Sequence, residues 1–133
     1  MRVLAIDPGR QKCGLAVVDQ QQGCLARLIV DRSQLKEQVL VWLEQWKAEK
    51  VLVGGATGSK TVVEELKASL STCLSVVDEF RTTERARTRY FQDNPPRGWW
   101  RLVPLGLQVP PVAIDDYAAV IMGEDYLKAK EKP

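Results

Sequence analysis

An apolar run that ends on a carboxylate constrains this chain more than any other feature. Val3-Leu4-Ala5-Ile6 leads into Asp7 and then Pro8-Gly9, and a second apolar run, Gly14-Leu15-Ala16-Val17-Val18, follows within a few residues. The first run is too short for a helix and shows no polar alternation, which predicts a strand buried on both faces and so central in its sheet. Proline donates no backbone hydrogen bond and glycine permits a sharp turn, so Pro8-Gly9 ends that strand and the second run returns antiparallel beside it. Asp7 then stands at the end of a central strand, beside a loop carrying Arg10 and Lys12. A carboxylate there reads either as a turn cap or as a ligand at the carboxyl edge of the sheet, where open α/β folds place their sites.

Residues 20–23 form a polar turn, and 24–30 supply a third strand that completes an antiparallel meander. The period then changes: Leu35, Val39, Leu40, Trp42, Leu43 and Trp46 recur at helical spacing, with Asp31 or Ser33 placed to cap the start. Trp42 and Trp46 read as core anchors. Val51-Leu52-Val53 is the next strand, running through residues 54–61 into a helix that bears Val62, Val63, Leu66 and Leu70. This loop falls one residue short of the phosphate-cradling G-x-x-x-x-G-K-[ST], because Ser59 stands where the backbone of the second glycine must wrap the phosphates. It reads as a strand-to-helix connection capped by Ser59 or Thr61, with Lys60 able to meet a phosphate at the sheet edge. Residues 74–77 form a second apolar strand ending in acids, Asp78 and Glu79, after which Thr82 and Thr83 cap a helix over 84–91. Arg81, Arg85 and Arg89 recur there every fourth residue, a basic stripe if the helix is regular. Residues 93–113 hold five prolines, Trp99-Trp100, Arg97 and Arg101, and predict a long irregular connection. Arginines beside exposed aromatics suit a surface that stacks bases and holds phosphates, or else the tryptophans pin the loop to the body. A final helix over 114–127 opens on Asp115 and Asp116, and residues 128–133 form a charged tail.

With 133 residues the chain suffices for one domain and not two, so a single domain over 1–127 is expected. No apolar run approaches the roughly eighteen residues of a membrane span, and the start lacks signal-peptide features, so the expected location is the cytoplasm with no membrane partner. Three cysteines without a C-x-x-C pair support neither a disulfide framework nor a zinc site. The net charge of +2 argues nothing by itself, but between Phe80 and Ile114 only Glu84 and Asp93 oppose six arginines, which predicts a local positive region. Histidine is absent altogether. That excludes Ser-His-Asp and Cys-His nucleophile pairs, histidine-bound zinc and an imidazole base. Any catalysis then runs on carboxylates, which at neutral pH act chiefly by holding hard divalent cations.

Acids thus stand at the end of the first strand, the end of the last strand and the start of the last helix. Ile6-Asp7-Pro8-Gly9 with Gly14-Leu15-Ala16-Val17, then Val77-Asp78-Glu79-Phe80-Arg81-Thr82-Thr83-Glu84-Arg85-Ala86, then Ile114-Asp115-Asp116-Tyr117-Ala118-Ala119, resemble in order the motifs of the RuvC/YqgF family of the ribonuclease H-like superfamily. The resemblance covers nearly the whole chain, with Phe80 where the YqgF signature usually has arginine. It implies an α/β three-layer fold: a mixed five-stranded sheet, three antiparallel strands and then two parallel, with helices on both faces. It implies Asp7, Glu79 and Asp115 as catalytic, metal-binding acids, with Asp78 and Asp116 as alternates. Strand alternation lets only one of Asp78 and Glu79 share the face of Asp7. It further implies two Mg²⁺ or Mn²⁺ ions about 3.5–4 Å apart and a nuclease acting on precursor ribosomal RNA or on a four-way DNA junction, as monomer or homodimer. Lys12, Lys60, Arg81, Arg85, Arg89, Arg97 and Arg101 would hold phosphates, and Trp99 and Trp100 would stack on bases. Two other readings stand beside it. One is a nucleic-acid-binding module without turnover, as in transcription accessory proteins resembling Tex; the other is an actin-like or sugar-kinase ATPase, which needs two related domains and a longer chain.

Overall fold

Val3, Leu4, Ala5 and Ile6 are fully buried, and the strand they form, β1 (Arg2–Asp7), is the middle strand of a five-stranded sheet. The computed structural model describes residues 1–55, 59–70, 73–77, 82–94 and 115–131, with backbone alone at 73, 82–84, 115, 130 and 131. β2 (Lys12–Asp19) pairs antiparallel with β1, and β3 (Gly23–Asp31) antiparallel with β2. β4 (Lys50–Gly54) and β5 (Cys73–Val77) add on the other side as parallel strands, giving the order β3-β2-β1-β4-β5. This is the mixed sheet the motifs imply.

Strand alternation sends the two sets of side chains to different helices. Leu4, Ile6, Leu15, Val17, Val51 and Val53 pack under α1 (Leu35–Trp46) and α2 (Ser59–Lys67). Val3, Ala5, Ala16, Val18 and Leu52 pack under Ala119, Val120, Met122 and Leu127 of α4 (Asp115–Glu131). Burying one Leu, Ile or Val side chain contributes about 1.5–3 kcal/mol, so a strand buried on both faces outweighs any local preference for another conformation. α4 comes closest to the sheet at Gly123, where an added Cβ would sit 2.8 Å from Val18 Cγ2. α3 (Thr82–Asp93) forms a further layer outside α4, meeting it through Ala86, Tyr90, Tyr117, Ala118 and Ile121.

Several local expectations change. A 3-10 turn, Arg32–Gln34, precedes α1; neither Asp31 nor Gln34, which stand at the caps, makes a side-chain cap bond. The entry is held instead by Arg32, whose N–H donates to the Gln11 carbonyl at 2.7 Å and whose guanidinium pairs with Glu65 at 2.7 Å. Trp42 is in the core as expected, whereas Leu40 is 38% exposed and off the buried stripe. Thr82 and Thr83 lie within α3, which runs on to Asp93. α4 continues through the expected tail to Glu131, with lysines at the end where the helix dipole favours them. Cys13 and Cys24 are free thiols, and the Cys73 side chain lies outside the described residues. Among the described residues no helix is long and apolar enough to cross a membrane.

Candidate active site

β1, β4 and β5 run parallel and finish on one edge. Ile6 pairs with Val53 and Gly54 with Val77, so Asp7 ends β1 level with the ends of the parallel strands β4 and β5. The Gly55 N–H donates to the Val77 carbonyl at 2.7 Å and ties two of those ends together. Asp7 shares the face of Val3 and Ala5, which α4 covers, and is half-buried. Its antiparallel partner is Gly14, and on the parallel side Gly54 follows the partner of Ile6. Both cross-strand positions beside Asp7 are therefore glycines. A carboxylate at the margin of the protein interior attracts a cation more strongly than one in bulk water.

α4 directs its first turn toward that edge. Ala5 is in register with Ala16, and Ala16 with Arg27; the Arg27 Nε donates to Asp116 Oδ2 at 3.1 Å, and its guanidinium lies 4.5 Å from the Tyr117 ring centroid. Seven positions further on, Gly123 lies against Val18 and Val3, nearer the amino end of β1. Tyr126 lies beneath Lys50 at the start of β4. The helix therefore runs from the carboxyl-edge side down to the amino ends of the parallel strands. Both oxygens of Asp116 are engaged, since Oδ1 accepts the Tyr117 N–H at 3.0 Å. Burial pushes the Tyr117 phenol up, with the Arg27 cation opposing.

Arg85 and Arg89 of the basic stripe are turned toward α4. Arg85 Nη1 and Nη2 donate to Asp125 Oδ2 and Oδ1 at 2.7 and 2.8 Å, and Arg89 donates to Glu124 Oε1 and Oε2 at 2.9 and 3.4 Å. Hydrogen bonding to these carboxylates holds both guanidinium pKa values above the ordinary range. Lys12 and Lys60 are exposed. Asp78, Glu79, Arg81, Arg97, Trp99, Trp100 and Arg101 lie outside the described residues, as does the side chain of Asp115, whose backbone opens α4. Among the described residues no three acids, cysteines or histidines are grouped to hold a metal ion, and of Asp7, Glu79 and Asp115 only the Asp7 side chain is described, with the alternate Asp116. Sequence reasoning missed Arg27, Glu124 and Asp125; the acidic doublet that follows the apolar stretch 117–123 of α4 was the available signal. A cavity of about 250 Å³, lined by Val63, Lys67, Leu70 and Leu74, lies at the other end of β5 from Val77 and away from this edge.

No protein-family model and no curated protein matches the chain. Solved structures do, and they share its α/β fold, a mixed five-stranded sheet with helices, over nearly the whole chain. The RuvC structure from Thermus thermophilus superposes with a TM-score of 0.65 at 15% identity, covering 98% of this chain and 96% of that one. The fowlpox virus resolvase, in complex with its substrate Holliday junction DNA, superposes with a TM-score of 0.64 at 14% identity, covering 99% and 100%. Thermus thermophilus RuvC with a Holliday junction substrate gives 0.57 at 17% identity, covering 98% and 96%.

Proposed function

We propose that the chain is a divalent-metal-dependent endonuclease that hydrolyses phosphodiesters in structured nucleic acid. The observation that carries this reading is Asp7: a half-buried carboxylate at the end of the central strand, flanked by Gly14 and Gly54, on the edge toward which α4 directs its first turn. Asp7 is the first metal ligand. Val77 packs on the α4 face with Val3 and Ala5, so continued alternation favours Glu79 over Asp78 as the second. Asp115 is the third, because Asp116 is already held by Arg27 and by the Tyr117 N–H. An all-carboxylate set without histidine or thiolate fits Mg²⁺ or Mn²⁺. A bound pair of such ions supplies activation of water and stabilisation of the leaving oxygen. The residues of the chain fix the position of the ions and bring the scissile phosphate to the open edge.

Four-way DNA is the first substrate to test, since two of the similar structures contain a Holliday junction. Precursor ribosomal RNA is the finer alternative, supported by the likeness of residues 77–86 to the YqgF signature. The test is cleavage of labelled four-way DNA, linear duplex DNA and structured RNA with Mg²⁺, with Mn²⁺ and with EDTA. Metal-dependent scission of a branched or folded substrate, abolished by EDTA, is the expected result. Binding without scission under every metal condition would make the chain a nucleic-acid-binding module instead.

A further inference from the structure

We propose that the turn from β1 into β2, through Arg10 in the loop and Lys12 at the start of β2, is the surface that holds the phosphate backbone of a branched DNA substrate. This rests on the nuclease reading and replaces the α3 stripe as its grip. Arg10 and Lys12 are exposed and lie three and five positions after Asp7, so they stand on the edge where the scissile phosphate must come. Neither makes an ion pair with any described residue; Asp31 is opposite Lys12 in the β2–β3 register but does not pair with it. Arg85 and Arg89, by contrast, are bidentate to Asp125 and Glu124, and releasing them would leave those carboxylates unpaired.

The loop is also built to hold its shape. A Cβ at Gly9 would fall 2.2 Å from the Lys12 carbonyl oxygen, so only glycine lets the chain fold back this closely. Cys13 Sγ lies 3.8 Å from the Gly9 carbonyl, and the Gln11 carbonyl accepts the Arg32 N–H at 2.7 Å, which fastens the loop tip to the end of β3. Cations on an ordered backbone lose less entropy when they meet a phosphate than cations on a free loop. Lys60, exposed in the first turn of α2 and reached from the same end of β4, adds a further charge on the opposite face of the sheet.

The test is the salt dependence of four-way DNA binding in EDTA, where cleavage cannot intervene. Each phosphate neutralised contributes about −0.9 to the slope of log affinity against log salt. Arg10→Gln/Lys12→Gln should make the slope shallower by about one to two units with an unchanged melting temperature. The charge-conserving Arg10→Lys/Lys12→Arg should keep the slope of the parent chain, and Arg85→Gln/Arg89→Gln should keep it too. A parent-like slope in Arg10→Gln/Lys12→Gln, with the parent binding four-way DNA, overturns this inference and leaves the nuclease reading standing. Binding of duplex RNA alone overturns the DNA assignment. If the parent chain binds neither nucleic acid, the nuclease reading falls and this inference with it.

Discussion

Replacing Arg85 and Arg89 together by glutamine separates a clamp from a grip. The structure makes them a clamp: four N–H···O contacts of 2.7, 2.8, 2.9 and 3.4 Å join α3 to Asp125 and Glu124 of α4. The Arg85–Asp125 side chains are 40% and 43% exposed and the Arg89–Glu124 side chains 35% and 26%, so solvent screens both pairs. Exposed pairs contribute about 0.2–1 kcal/mol each, and two-pronged geometry places these toward the upper end. Losing both should cost about 1–2 kcal/mol. For a domain of this size that lowers Tm by about 4–8 °C. Raising salt from 0.15 M to 1 M shortens the screening length from about 8 to about 3 Å, so the gap between parent and variant should narrow. The assay is thermal melting at the two salt concentrations, with four-way DNA binding measured beside it. Unchanged Tm together with a salt slope shallower by about one to two units would refute the clamp and return the two arginines to the substrate.

Asp115→Asn should abolish cleavage at unchanged Tm, whereas Asp116→Asn should keep cleavage and lose about 0.5–1 kcal/mol with the Arg27 anchor; the opposite pattern would exchange the two assignments. Gly123→Ala should destabilise by about 1 kcal/mol, because crowding the stiff Val18 at 2.8 Å outweighs the helix-propensity gain; a higher Tm on melting would contradict the close α4 packing. The Asp19 carboxyl is held below its ordinary value, first by the N–H groups of Gln21 and Gln22 and then by Arg2. Its contribution is therefore full at neutral pH and is lost as pH falls below about 4 and through the folded value. The Tm gap between the parent chain and Asp19→Asn should close over that range, and a gap constant from pH 7 to pH 2 would show that the charge is not involved.

Where local chemistry alone decides, the sequence was legible. The uninterrupted apolar run Val3–Ile6 and the break at Pro8-Gly9 place Asp7 at the end of a central strand, and the change from apolar runs to helical spacing orders the remaining elements. The partners of Arg85 and Arg89 were not legible, because an i, i+4 stripe looks the same whether it faces solvent or a helix that begins thirty residues later. The same holds for Arg27: its pairing with Asp116 spans 89 positions and depends on how α4 crosses β3. Leu40 has the spacing of the core stripe, yet α1 is rotated so that Leu35, Val39 and Trp42 face the sheet. The start of α1 eluded cap rules because backbone and ion-pair contacts of Arg32 hold it.

The most direct test of the central claim is single-turnover cleavage by Asp7→Asn, at enzyme concentrations that hold all labelled four-way DNA bound, in Mg²⁺ and in Mn²⁺. The substitution keeps the size of the side chain and removes one negative charge from the proposed metal-binding set. No detectable scission is expected from a variant that melts and binds DNA like the parent chain. Scission by Asp7→Asn at the parent rate would remove Asp7 from the chemistry and with it the two-metal reading of this edge.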